Sequence, residues 1–422
     1  MSFPLSVVSV LSLLSTASAV PPTWTVNSIF NPSGEDLVAI AMVTVDSDHF
    51  FVAQLEDSAG ASRLYFKKRD NIHGLSSRID LSLDGSGVPR LDTTGMEQYL
   101  PTLAVDSGSR VLIANKVDGV GFGPTIENPI LPRTAPFNLI DAPPELIDAD
   151  ATLTPRRKHT SLAVNSTAGT VFACFTVDDG GDDIYCNDRG MASTSWPSIP
   201  WALATSANVE EHATVAVLDD DTRVIMYADG TGGADTTNIK VEFYDGSNTL
   251  IGTGVELGNT NSNWPHLTRD GDVLHAVWAN TGTDTLWYTT CDTRLSSCDS
   301  SGWLTPEQIT NIPNAGAYPQ IIVDDNDDIF VAFTHTSGAG DERVAVSTRC
   351  AAGSWDGVTI DNSQSTENLG GQHRRHAYPA FSFNDATGNI IAAYGREHAT
   401  TGEWDGVRAA VDSNTYHTAF CP

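Results

Sequence analysis

Seven copies of one phrase run along this chain, and they constrain its fold more than any other feature. They read AIAMVTVDSDHFFVAQ, YLPTLAVDSGSRVLIAN, KHTSLAVNSTAGTVFACF, EHATVAVLDDDTRVIMY, NWPHLTRDGDVLHAVW, AYPQIIVDDNDDIFVAF and AYPAFSFNDATGNIIAAY. Each is an apolar run, a polar turn and a second apolar run, which is a β-hairpin signal. The residue closing the first run falls at Asp46, Asp106, Asn165, Leu218, Asp270, Asp324 and Asn384, so the successive spacings are 60, 59, 53, 52, 54 and 60. A period in this range marks a propeller or another repeat array. A third strand-like run often follows, as in SRLYFKK, IKVEFYD, TLWYTTC and RVAVSTRC, and a weaker fourth begins near Trp196, Trp303 and Trp355. No segment sustains a 3.6-residue apolar period. The expected fold is all-β: a seven-bladed β-propeller of four-stranded blades, with residues 20–422 as one domain. The segment TWTVNSIF (Thr23–Phe30) is expected to complete the outer edge of the last blade. An open β-solenoid is the alternative, although its repeats are usually shorter.

The first nineteen residues read as a cleavable signal peptide. PLSVVSVLSLLSTASAV is a short apolar run containing the small-x-small sequence Ala17-Ser18-Ala19, and it is too short to span a bilayer comfortably. A secreted, extracellular or periplasmic protein is expected. Six cysteines in an exported chain point to disulfides. Cys174 and Cys186 flank Gly180-Gly181 symmetrically, Cys291 and Cys298 close a small loop, and Cys350 and Cys421 remain. The formal charge of −30, from 53 acidic and 23 basic residues, favours solubility and disfavours nucleic acid and anionic membranes as partners. A monomer without membrane insertion is expected.

The Asp/Asn-rich stretches between paired strands read first as turns, because these residues tolerate left-handed backbone and hydrogen-bond their own main chain. Calcium at Asp324–Asp328 or Asp178–Asp183 is the lesser reading, since neither matches a full EF-hand loop. No cofactor or metal is expected otherwise. The chain has no phosphate-loop, His-Glu-x-x-His or Gly-x-Ser-x-Gly motif.

The repeat, with its Pro-x-apolar start, acidic turn, aromatic-ended strand and late Trp, resembles the sialidase-type (neuraminidase or BNR-like repeat) propeller superfamily. That family carries a Ser-x-Asp-x-Gly-x-x-Trp box between the third and fourth strands. SCDSSGW keeps Ser297, Asp299, Gly302 and Trp303 at shifted spacing, and CAAGSW keeps Gly353 and Trp355. The family's Arg-Ile-Pro motif is absent. A looser, fold-level similarity is to propeller polysaccharide lyases that use His, Tyr and Arg. The resemblance implies carbohydrate as the partner.

Ligands of propellers sit near the axis, at residues just before each innermost strand. Six residues before each repeat anchor stand Ile40, Leu100, His159, His212, Trp264, Tyr318 and Tyr378. The candidate catalytic residues are His159, His212, Glu211, Tyr318 and Tyr378. Arg157, Trp264, Arg374, Arg375 and His376 are the candidate substrate-binding residues. The basic runs RRKH and HRRH lie in the third and seventh repeats and could clamp an acidic ligand, since Arg pairs bidentately with carboxylate or sulfate. In a lyase, His or Tyr would take the proton next to a uronate. In a sialidase-like hydrolase, a Tyr paired with Glu211 would be the nucleophile. The non-catalytic alternatives are a lectin-like module and a cell-surface interaction propeller.

Overall fold

In the computed structural model the described residues lie between 24 and 412, most continuously from 156 to 359. Residues 1–23, 81–100, 128–144, 360–378 and 413–422, with shorter loops, lie outside them, and so does the expected signal peptide. Among the described residues the strands form seven antiparallel sheets in chain order. Their innermost strands are Glu35–Val45, Thr102–Val105, Arg156–Asn165, Val209–Val217, Ser262–Asp270, Ala315–Val323 and Ala380–Asn384. Each sheet then runs outward in sequence, as in the fourth, where Arg223–Gly230, Thr237–Tyr244 and Leu250–Glu256 follow. The architecture is an all-β propeller of four-stranded sheets, and the first sheet carries an extra short piece.

The strand patterns follow from this packing. The second strand of a sheet lies between strands on both edges and is covered by neighbouring sheets on both faces. Arg223–Gly230 is accordingly buried at all but one position, which is why these strands read as continuous apolar runs rather than alternating ones. The outermost strand Leu250–Glu256 is mostly exposed. Between sheets lie clusters of interdigitated apolar side chains. Val277, Leu286 and Tyr288 of the fifth sheet meet Ile321, Val331 and Phe333 of the sixth. Ile40, Phe51 and Leu55 of the first sheet meet Ile391 and Ala393 of the seventh, so the last repeat packs back on the first. Truncating a buried Phe such as Phe333 to Ala in such a cluster costs about 3–5 kcal/mol.

The N-terminal strand Trp24–Phe30 pairs antiparallel with Trp404–Asp412, from Trp24 opposite Asp412 to Phe30 opposite Val407. It is the fourth strand of the seventh sheet. The expected fourth strands exist but begin just after the Trp residues, at Trp201–Ala204, Glu307–Ile309 and Asp356–Thr359. Trp196 is itself buried, and Trp303 donates its indole N–H to the Cys298 carbonyl at 2.9 Å. The degenerate box Ser297–Trp303 falls between the third and fourth strands of the fifth sheet. There the Ser297 carbonyl accepts the N–H groups of Ser300, Ser301 and Gly302.

Cys174 and Cys186 face each other across a hairpin and are disulfide-bonded with Cα atoms 4.1 Å apart. Cys291 is bonded to Cys298. Cys350 is also disulfide-bonded, while Cys421 lies outside the described residues. Disulfides of this kind fit an oxidising compartment. No helix among the described residues is long and apolar enough to cross a membrane.

The acidic turn of the sixth repeat is held by its own backbone. The carboxylate of Asp324 accepts the N–H groups of Asn326 and Asp328, each at 2.9 Å. The main chain closes with Asp324 N–H donating to the Asp328 carbonyl at 3.0 Å, and Asp327 takes the left-handed conformation at φ 62°. Among the described residues no group of three or more His, Cys, Asp or Glu side chains could hold a metal ion. Asp178–Asp183 includes residues outside those described.

Candidate functional site at the propeller axis

A cavity of about 410 Å³ is lined by the innermost strands of all seven sheets, a volume in the range of small-ligand sites. Innermost strands have one unpaired edge, so their N–H groups need other acceptors. Side chains of the preceding sheet supply them. Val215 N–H donates to the Ser161 hydroxyl at 3.1 Å. Leu267 N–H donates to the Thr214 hydroxyl at 3.3 Å, and Ile321 N–H donates to Nδ1 of His266 at 3.2 Å. Ser161, Thr214 and His266 each stand four residues before their repeat anchor, and each bond crosses from one sheet to the next.

Above this belt the strands break register at matching places. The skipped residues are His212-Ala213 in the fourth sheet, Trp264-Pro265 in the fifth and Tyr318-Pro319 in the sixth. The third sheet skips His159, and the first skips Val38. At the bulges His212, Trp264 and Tyr318 have φ of 59°, 49° and 55°. Left-handed backbone is disfavoured for L-residues by contact between Cβ and the main chain and is uncommon for bulky side chains. Three such residues in the same slot of three consecutive repeats share a single cause. The bulge turns each side chain out of the ladder and into the cavity wall, which all three line.

They form an aromatic ladder. The Trp264 and Tyr318 rings have centroids 4.5 Å apart, and those of His212 and Trp264 are 6.3 Å apart, edge-on. Trp264 N–H donates to the side-chain oxygen of Asn263 at 2.7 Å, which fixes the bulge. Beside the ladder, Oε1 of Glu211 lies 3.4 Å from Nδ1 of His212 and 3.5 Å from Nδ2 of Asn263. His266 is half-buried on the cavity wall, and desolvation there pushes its pKa down to about 4.

Of the residues expected from sequence, the structure brings His212, Trp264 and Tyr318 together, with Glu211 adjoining them. Ile40 occupies the same sequence slot and also lines the cavity, but it is paired in register with Ala53 and packs in the apolar cluster. The bulge of its repeat comes two residues earlier, so counting back from the anchor misplaced it. Arg157 and His159 lie on the innermost strand of the third sheet, with their side chains outside the described residues. Arg374, Arg375, His376 and Tyr378 lie wholly outside them. Sequence reasoning missed Ser161, Thr214 and His266. Their signal is a polar residue four before the anchor in consecutive repeats, shared by Thr102 and Gln320.

No family model matches the chain, and no curated protein matches it. Solved structures do. A protein of unknown function from Dyadobacter fermentans is 12% identical, with a TM-score of 0.50 over 92% of this chain and 97% of that one. The polysaccharide lyase Uly1 is 8% identical, with a TM-score of 0.51 over 88% and 89% of the two chains. The Hadza microbial sialidase Hz136 is 8% identical, with a TM-score of 0.46 over 89% of this chain and 65% of that one. At these identities the likeness is one of fold, and it does not single out the sialidase type.

Proposed function

We propose that this chain is a secreted, seven-bladed propeller that takes a carbohydrate chain across the mouth of its axial cavity, with an acidic glycan as the favoured ligand. The observation that carries the proposal is the ladder of His212, Trp264 and Tyr318. Three sheets each hold backbone in a conformation costing on the order of 1–3 kcal/mol, and each uses it to place a ring on the cavity wall. Flat aromatic faces with a polar atom at one end suit the mixed apolar and hydroxylated faces of a sugar. The blade count is supported by the seven sheets and by the packing of the first on the seventh. The fold likeness to a polysaccharide lyase is in keeping with a carbohydrate ligand, although fold alone does not fix function.

Glu211 and His212 are the pair best placed for turnover. At 3.4 Å Glu211 Oε1 stands just beyond a hydrogen bond to His212 Nδ1; on closing to that distance the carboxylate would hold the neutral ring's proton at Nδ1 and leave Nε2 as the base. Tyr318, on the same ladder, is the candidate proton donor or nucleophile. Arg157, His159, Arg374, Arg375, His376 and Tyr378 join the proposal through their repeat positions.

The test is a glycan array with wild type and Trp264→Ala, run beside a turnover assay on acidic polysaccharides. Binding of an acidic glycan that weakens about tenfold or more in Trp264→Ala is expected, as for an aromatic anchor. Array binding unaffected by Trp264→Ala, or no glycan bound by the wild type, would overturn the reading. Turnover abolished by His212→Gln identifies an enzyme; binding without turnover identifies a lectin.

A further inference from the structure

We propose that the belt of residues four before each repeat anchor is a subsite for an oxyanion, the carboxylate or sulfate group of a glycan substituent, held by neutral donors inside the axial cavity. The inference rests on the glycan reading above and gives the acidic group a location that does not depend on the basic runs.

The inter-sheet bonds leave donor capacity over. Ser161 and Thr214 each accept a main-chain N–H through the hydroxyl oxygen, so what each hydroxyl still has to give is its hydrogen. His266 accepts Ile321 N–H at Nδ1, so the neutral ring carries its proton on Nε2 and is a donor there. Thr102 and Gln320 hold the same repeat position in the second and sixth sheets and also line the cavity. Five consecutive sheets thus offer polar hydrogens at one level. The first and seventh sheets place Met42 and Ala380 there instead. The belt is therefore polar along one arc and apolar along the other, which suits a group with oxygens on one side and a carbon skeleton on the other.

Among the described residues lining the cavity there is no Asp, Glu, Lys or Arg. A protein of charge −30 would repel an anion from its outer surface, but at physiological salt those charges are screened over about 8 Å. Among the described residues the cavity wall holds no carboxylate to oppose an anion. Hydrogen bonds to a charged acceptor are stronger than neutral ones, and two or three of them offset the loss of water from a carboxylate only when the donors are already aimed. The inter-sheet bonds fix Ser161, Thr214 and His266 before any ligand arrives.

The experiment compares glucuronate with glucose, which share a ring and differ at the carboxylate, by titration calorimetry on the full chain, with sulfate as a second probe. The key variant is His266→Asn. The Asn side-chain oxygen can take Ile321 N–H as Nδ1 does, while the Nε2 donor is lost. Wild type should bind glucuronate in preference to glucose, and His266→Asn should weaken glucuronate about tenfold without changing glucose. Unfolding curves establish that His266→Asn is folded. Equal binding of glucuronate and glucose, or equal glucuronate binding by wild type and folded His266→Asn, overturns the proposal. If oligosaccharides still bind through Trp264 in that case, the oxyanion subsite is wrong and the glycan site stands. If acidic glycans fail to bind at all, the glycan site itself is wrong.

Discussion

Replacing Trp264 by Gly and by Ala separates backbone strain from ring packing, because both substitutions remove the same indole. At φ 49° an Ala retains a Cβ in the left-handed region, at roughly 1–2 kcal/mol. Gly carries no such penalty but loses about 0.4–1 kcal/mol through the greater freedom of its unfolded chain. The difference leaves Trp264→Gly more stable than Trp264→Ala by about 0.8 kcal/mol, the reverse of the usual order. Both should be less stable than wild type, because the Trp264–Tyr318 contact at 4.5 Å adds about 0.5–1.5 kcal/mol beyond the area it buries. Equilibrium denaturation with urea measures the two midpoints. The bonding around the bulge is the same in both variants, since Asn263 receives a main-chain N–H whatever residue stands at 264. If Trp264→Ala equals or exceeds Trp264→Gly in stability, the left-handed bulge is not a strained conformation held by the fold. His212 and Tyr318 then need not share its cause.

Acid should weaken the fold through two desolvated histidines, His275 buried in the core and His266 half-buried on the cavity wall. His266 and His275 are both pushed down to about 4, chiefly by burial, against about 6.5 in the unfolded chain. Between those values the unfolded state binds protons that the folded state refuses. Stability is therefore fully present above pH 6.5 and is lost as pH falls towards 4, by up to roughly 3 kcal/mol per residue. His266→Asn should flatten that part of the pH–stability curve, and an unchanged slope would refute the assignment. Asp324→Ala removes two main-chain hydrogen bonds and should cost roughly 1–2 kcal/mol. Chelators should leave the wild-type melting temperature unaltered, and a calcium-restored fall would make the turn a metal site. Replacing Cys174 and Cys186 together by Ala should cost about 3 kcal/mol, the loop-closure value for a bridge of this span. A loss under 1 kcal/mol in thermal or denaturant unfolding would show that the hairpin is held without it.

Much of the fold was legible because its signals are local. Apolar runs and turn residues depend on neighbours a few residues apart, and the chain repeats them seven times; the placement of Cys174 and Cys186 about Gly180-Gly181 is equally local. The strand Trp24–Phe30 could be assigned to the last sheet because a repeat array needs its final unit completed. The site was less legible. Counting back from each anchor finds His212, Trp264 and Tyr318 but lands on Ile40 in the first repeat, because the position of a bulge depends on register with the partner strand and not on the count. Repeated two-sided strands must be buried against one another, since no single hairpin can cover its own apolar faces, and the residues alone require that much. What lies at the axis depends on how the sheets stack. Ser161, Thr214 and His266 are each about fifty residues from the N–H group they accept, and nothing local to any of them specifies that partner. Their meeting follows from stacking sheets side by side, which brings the unpaired edge of one innermost strand against the side chains of the one before it.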